Sequence, residues 1–202
     1  MRLAILLLML AASSNAQSVQ PTRIGQHHLG ETLQDWITIT HVLDDMNRVC
    51  NSQKRGREGK WDKSRCEDLQ RVRDGKQSKF ESGDATRNVN WEFLDGKLSS
   101  VHITIPGFGR EWTYPDIQQE IAFLVDSYGK PEVRPIAYQN SYGARWECSE
   151  YSWSMPDGSI ILATEGIRST TYNGPKRDLS ILFLSKEYLD RKSQQTPSNP
   201  YK

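Results

Sequence analysis

The stretch Asn88-Val89-Asn90-Trp91-Glu92-Phe93-Leu94-Asp95-Gly96-Lys97-Leu98-Ser99-Ser100-Val101-His102-Ile103-Thr104-Ile105 decides the fold class. Val89, Trp91 and Phe93 alternate with Asn88, Asn90 and Glu92; Val101, Ile103 and Ile105 alternate with Ser100, His102 and Thr104. A period of two is that of a strand with one buried face. The Leu94-Asp95-Gly96 segment between the two runs predicts an antiparallel hairpin. A two-residue Asp-Gly turn would pair Phe93 with Leu98 and send the second apolar set to the face opposite Trp91. A three-residue loop with Gly96 as a bulge pairs Phe93 with Lys97 and Val89 with Val101, so that both sets share a face. The pattern therefore predicts the three-residue loop.

Helical signals flank this hairpin. Upstream, Thr32-x-x-Asp35 is a capping-box pattern, and Leu33, Trp36 and Ile37 share one face at i, i+3 and i+4. Val42, Leu43, Met46 and Val49 continue that spacing to Cys50, although the β-branched run Thr38-Ile39-Thr40 interrupts it. Glu67 to Asp74 predicts a short polar helix stopped by Gly75. Downstream, Thr113-x-x-Asp116 with Pro115 marks a helix start, and Ile117, Ile121, Leu124 and Tyr128 form its apolar stripe up to Gly129 and Pro131. Strands follow over Ala144–Met155 and Ser159–Glu165, around the turn Pro156-Asp157-Gly158, with a last strand marked by Leu179, Ile181 and Phe183. Helices, strands, helix and strands in that order, without a Gly-rich phosphate loop, predict an α+β fold. Its antiparallel sheet or sheets would carry helices on one face, in two tandem helix-plus-strands units. The expected boundaries are 30–112 and 113–188, with a flexible leader at 17–29 and a disordered tail at 189–202.

The chain of 202 residues begins with Met1-Arg2, the apolar run Leu3 to Ala12, and the small-residue stretch Ser13-Ser14-Asn15-Ala16. This is the layout of a secretory signal peptide cleaved near Ala16, which predicts a secreted or periplasmic protein. No later stretch approaches the ~18 apolar residues of a membrane-spanning helix. Export permits disulfides. Cys50 and Cys66 bracket a polar loop and are the expected pair, leaving Cys148 as an odd thiol, read as a small buried hydrophobe. No C-x-x-C or H-x-x-x-H spacing occurs, and neither a metal nor a cofactor is expected.

The layout of helix, hairpin with Trp91-Glu92-Phe93-Leu94-Asp95-Gly96-Lys97-Leu98, helix, Tyr128-Gly129-Lys130-Pro131 and further strands resembles the β-lactamase-inhibitor-protein-like fold. It also resembles the small outer-membrane assembly lipoproteins related to that fold, and uncharacterised exported proteins of soil bacteria. The Gly30-Glu31-Thr32 helix start is similar to the Gly-x-Thr starts of that superfamily, and a Cys pair in the first unit is similar to the inhibitor family. The second unit departs in having one Cys and a differently spaced hairpin, and no lipid-attachment Cys follows the leader. The resemblance implies a non-catalytic binding module and transfers no functional residue.

Two features point to a partner. Tyr138, Tyr142, Trp146, Tyr151 and Trp153 crowd one stretch, and aromatic rings on a sheet face offer large contact area at small entropic cost. Trp146 and Cys148 fall on one strand face, with Tyr151, Trp153 and Met155 on the other. Either a bulge near Ser149 switches faces, or one aromatic set lies outside the core. The second feature is electrostatic. After removal of residues 1–16 the chain has 25 basic and 25 acidic residues, yet residues 50–80 hold ten basic against five acidic. Arg55, Arg57, Lys60 and the interleaved Trp61 lie in that segment, which would attract an anionic envelope polymer. Export argues against nucleic acid as that partner. The expected function is non-enzymatic binding of a protein or envelope partner through the aromatic sheet face or the basic loop. The alternative is a secreted hydrolase of an envelope or extracellular polymer using paired carboxylates, drawn from acids such as Asp44-Asp45, Glu67-Asp68 and Glu147/Glu150. No G-x-S-x-G elbow is present, and His102 sits on the polar side of its strand, where it is expected to be exposed.

Overall fold

A computed structural model describes residues 19–40, 50, 60–76, 78–83, 87–105, 114–139, 143, 145–171 and 174–195. The proposed signal peptide, the apolar positions from Val42 to Val49 and the end of the tail lie outside them. Among the described residues the helices are α1 (Leu33–Ile39), α2 (Lys60–Arg73), α3 (Tyr114–Tyr128) and α4 (Lys186–Gln195). The strands are β1 (Arg23–Ile24), β2 (His27–His28), β3 (Lys79–Gly83), β4 (Asn88–Leu94), β5 (Lys97–Ile105), β6 (Glu132–Gln139), β7 (Arg145–Ser154), β8 (Ile160–Thr171) and β9 (Gly174–Leu184). Strands β3 to β9 form one antiparallel sheet in the order β3-β4-β5-β9-β8-β7-β6, so the α+β class holds. Strands from residues 30–112 and from 113–188 meet in that single sheet where β5 pairs with β9.

The hairpin reaches its shared apolar face by a different route from the one its sequence predicts. Asp95 and Gly96 both have positive φ, 52° and 75°, as a two-residue turn with left-handed central residues requires. Leu94 pairs with Lys97 and Phe93 with Leu98, while Glu92 pairs with Ser100, so Ser99 is the extra residue of a bulge. The expected pairs Phe93–Lys97 and Val89–Val101 are thus corrected to Phe93–Leu98 and Val89–Ile103. The bulge makes the face switch in the strand, leaving the turn free to match the strand twist.

One buried cluster collects Trp36 and Ile37 of α1, Leu69 and Val72 of α2, and Ile117, Ile121 and Leu124 of α3. These pack against Phe80, Phe93, Leu98, Val101, Trp153, Ile161, Ala163, Leu179, Ile181 and Phe183. The Thr32 hydroxyl caps α1 by accepting from the Asp35 amide at 3.1 Å. Cys50 and Cys66 are joined as expected, with Cα atoms 5.4 Å apart. Helix α2 starts at Lys60, earlier than the polar pattern after Cys66 indicates.

The described parts of the expected flexible leader and disordered tail, 19–29 and 189–195, carry secondary structure. Within 17–29, β1 and β2 pair, and Ile24 and Leu29 join the core. Thr22 binds the Asp157 carboxylate through its amide at 2.6 Å and its hydroxyl at 3.1 Å, tying this strap to the β7–β8 turn. The strap also buries His27, whose Nδ1 is 2.7 Å from the buried Glu31 carboxylate and whose ring meets Trp91 edge-on. At the other end, residues 189–195 continue α4, and Arg191 reaches Asp95 at 2.6 Å.

Candidate functional site

Strands β6 and β7 stay paired from Glu132–Ser152 to Gln139–Arg145, and β8 and β9 from Ile160–Leu184 to Thr171–Gly174. Between these two hairpins, however, the β7–β8 ladder runs only from Ser154–Ile160 to Glu150–Thr164. Beyond that pair the sheet forks into two arms. The register of β8 also shifts between Ile167 and Ser169, and such an irregularity adds twist that carries an arm away from its neighbour. In the crotch lies an open cleft of about 380 Å³, lined by Pro135, Glu147, Cys148, Ser149, Glu165 and Arg177.

Glu165 is the centre of this region. Its side chain is 2% exposed, and its two oxygens divide their partners. Oε1 accepts from the Tyr151 hydroxyl at 2.9 Å and from the Gln118 amide of α3 at 3.3 Å; Oε2 accepts from Arg177 Nη1 at 3.3 Å. A buried carboxylate requires such donors, since an unpaired one would cost several kcal/mol. Burial, reinforced by the bond to Glu165, holds the Tyr151 phenol above its ordinary value, against opposing bonds from Gln118 and Ser149. The Cys148 thiol is also pushed up, first by burial, with Arg177 opposing and Glu165 and Asp178 adding to the shift. It is therefore poorly placed to form the thiolate of a nucleophile. The Asp178 carboxylate lies against Gly166, occupying the space that any side chain there would fill.

The aromatic residues singled out from sequence separate. The β6–β7 register is unbroken, so no bulge near Ser149 switches faces. Trp153 is 3% exposed, packs in the core and donates from Nε1 to the Gly129 carbonyl at 2.7 Å. Tyr151, two residues away on the same face, stacks loosely on Trp153 and holds Glu165. Tyr138 and Trp146 pair across the strands on the opposite face, beside the Ile136–Cys148 pair. Tyr138 is 43% exposed and Trp146 partly so. Tyr142, Arg55 and Arg57 fall outside the described residues, as do the side chains of Lys60 and Trp61. His102 is half-buried rather than exposed, with Nε2 2.8 Å from the Ser180 hydroxyl, and burial lowers its basicity. Its backbone lies in a central strand, paired with Asn90 of β4 on one side and Leu182 of β9 on the other.

Glu165, Arg177 and Gln118 were not picked out by motif. A signal existed: Ile161, Ala163, Glu165 and Ile167 share one phase of β8, and Phe183, Ile181, Leu179 and Arg177 share one phase of β9. A charge in phase with buried aliphatics is a buried charge. Among the described residues no group of three or more His, Cys, Asp or Glu side chains is arranged to hold a metal ion, and no helix is long and apolar enough to cross a membrane. Comparison with protein-family models, curated proteins and solved structures finds no match to this chain.

Proposed function

We propose that this chain is an exported, non-enzymatic binding protein whose protein or envelope partner docks on the outer face of the β6–β7 arm. The observation that carries this reading is the pairing of Tyr138 with Trp146 on the face turned away from the core, with Tyr138 43% exposed. Adjacent exposed aromatic side chains on one strand face are a feature of interaction sites, whereas isolated ones are not. Main-chain strand addition is disfavoured as the docking mode, because Pro135 removes an amide donor from the middle of the edge. The partner would therefore be recognised through side chains. A photoreactive phenylalanine analogue at position 138, in cells exporting the protein, should crosslink one defined partner, and the same analogue at Asn90 should not. Equal crosslinking from both positions, or none from 138, would count against this surface.

A hydrolase acting on an extracellular polymer is favoured by a different observation, that Glu147 and Glu165 line one cleft. Glu165 would serve as the fixed carboxylate and the exposed Glu147 as the proton donor. Polymer cleavage abolished by Glu147→Gln, with the melting temperature unchanged, would support this reading over the first.

A further inference from the structure

We infer that the cleft in the fork of the sheet is a binding site for a neutral, polyhydroxylated ligand, a short oligosaccharide segment. This goes beyond the outer-face reading and does not depend on it. The volume of about 380 Å³ lies within the range of small-ligand sites, but the lining is not that of an apolar pocket. Four of its six residues, Glu147, Ser149, Glu165 and Arg177, carry polar side chains. An apolar ligand entering such a cleft would strip water from these groups without replacing its hydrogen bonds. An anion would find the one lining cation, Arg177, already held by Glu165, and would be repelled by the exposed Glu147 carboxylate. A cation would find its deepest carboxylate already engaged, since Glu165 is bound by Arg177, Tyr151 and Gln118. Metal chelation lacks a third suitable ligand among the described residues.

A sugar meets all of these conditions. Vicinal hydroxyls can both donate to the exposed Glu147 carboxylate and exchange bonds with the Ser149 hydroxyl, and no net charge needs burying. Pro135 supplies an apolar wall for the C–H face of a pyranose ring. The site is also pre-formed: the Glu165 network fixes the β8 side of the cleft, and the unbroken β6–β7 ladder fixes the other.

The test is saturation-transfer NMR on the exported chain with cellotetraose, chitotetraose and mannotetraose as neutral probes, beside spermidine and citrate as charged ones. At least one tetrasaccharide should receive saturation. Glu147→Gln and Ser149→Ala should each weaken its Kd about tenfold, the loss of roughly one good hydrogen bond. Asn90→Ala, at the far end of the sheet, should leave it unchanged, and thermal melts should confirm that all variants are folded. Saturation of spermidine or citrate alone, of no probe, or of a tetrasaccharide whose binding ignores both cleft variants would overturn the inference.

Discussion

Replacing Glu165 with glutamine keeps the shape of the side chain and removes its charge, so it isolates what the carboxylate does. In the folded protein the group accepts three hydrogen bonds, one of them from a guanidinium only 19% exposed, while itself only 2% exposed. A hydrogen bond involving a charged group contributes about 1.5–3 kcal/mol, and the two at 3.3 Å belong to the weak end of that range. Glutamine can still accept from Tyr151 or from Arg177 through its one oxygen, but its amide must then oppose a donor on the other side. A net loss of about 2–3 kcal/mol follows, and at 2–4 °C per kcal/mol this lowers Tm by roughly 4–12 °C. A second readout is more specific. The Tyr151 phenol is raised by burial first and by Glu165 second, so in Glu165→Gln its titration should move toward the ordinary tyrosine value without reaching it. Because the folded value lies above the unfolded one, this tyrosine contributes stability that is complete below about pH 10 and is lost as pH rises through the folded value. The wild type therefore loses more than the variant in that window, and the stability gap between them should narrow. Tyrosine ring-carbon NMR, assigned with Tyr151→Phe, follows the titration, and urea unfolding at a series of pH values follows the gap. A Tm within about 1 °C of wild type together with an unmoved Tyr151 titration would refute the network described here.

Other consequences are simpler to state. Trp153→Ala should cost about 3–5 kcal/mol in urea unfolding, because it empties a core position and strands the Gly129 carbonyl, whereas Tyr138→Ala should stay within about 0.5 kcal/mol. Equal costs would mean that the two faces of the β6–β7 hairpin have been interchanged. Burial tends to raise the Asp157 carboxyl, but bonds from Ser159 and Thr22 outweigh it and hold the group below its ordinary value. Its contribution to stability is present above the unfolded value of 3.8 and is lost as pH falls through the folded one. Asp157→Ala should remove that acid limb, cost about 1–3 kcal/mol at neutral pH and make the strap cleavable by trypsin at Arg23; an intact strap would argue against the latch. Reducing Cys50–Cys66 should destabilise by roughly 3 kcal/mol, the chain-entropy value for a loop of about 15 residues, read as a lower urea midpoint.

What the sequence discloses and what it conceals follow from where burial acts on the chain. The stripe Ile117, Ile121 and Leu124 is legible because one side of α3 is packed and the other is wet, and burial writes the helical period into the residues. The β4–β5 alternation is legible for the same reason. Its turn is not legible, because a bulge needs only one extra residue, and Ser99, flanked by another serine, carries no mark of being that residue. Strand β6 gave no signal at all: its residues are exposed on both faces except for the partial cover of Ile136, so nothing selects alternation, and Pro135 argues against a strand. The fork is the hardest feature to foresee, since it is a failure of pairing between two hairpins that are each locally complete. Yet it leaves a trace at longer range. Once β8 and β9 are taken as a hairpin, Glu165 and Arg177 fall on the buried phase of adjacent strands, close enough to form an ion pair, at positions that every neighbour fills with an aliphatic side chain. Replacing both with aliphatics would often be neutral for stability, or better. Their presence, in the lining of a polar cleft, is therefore better explained by what the cleft does than by what the core needs.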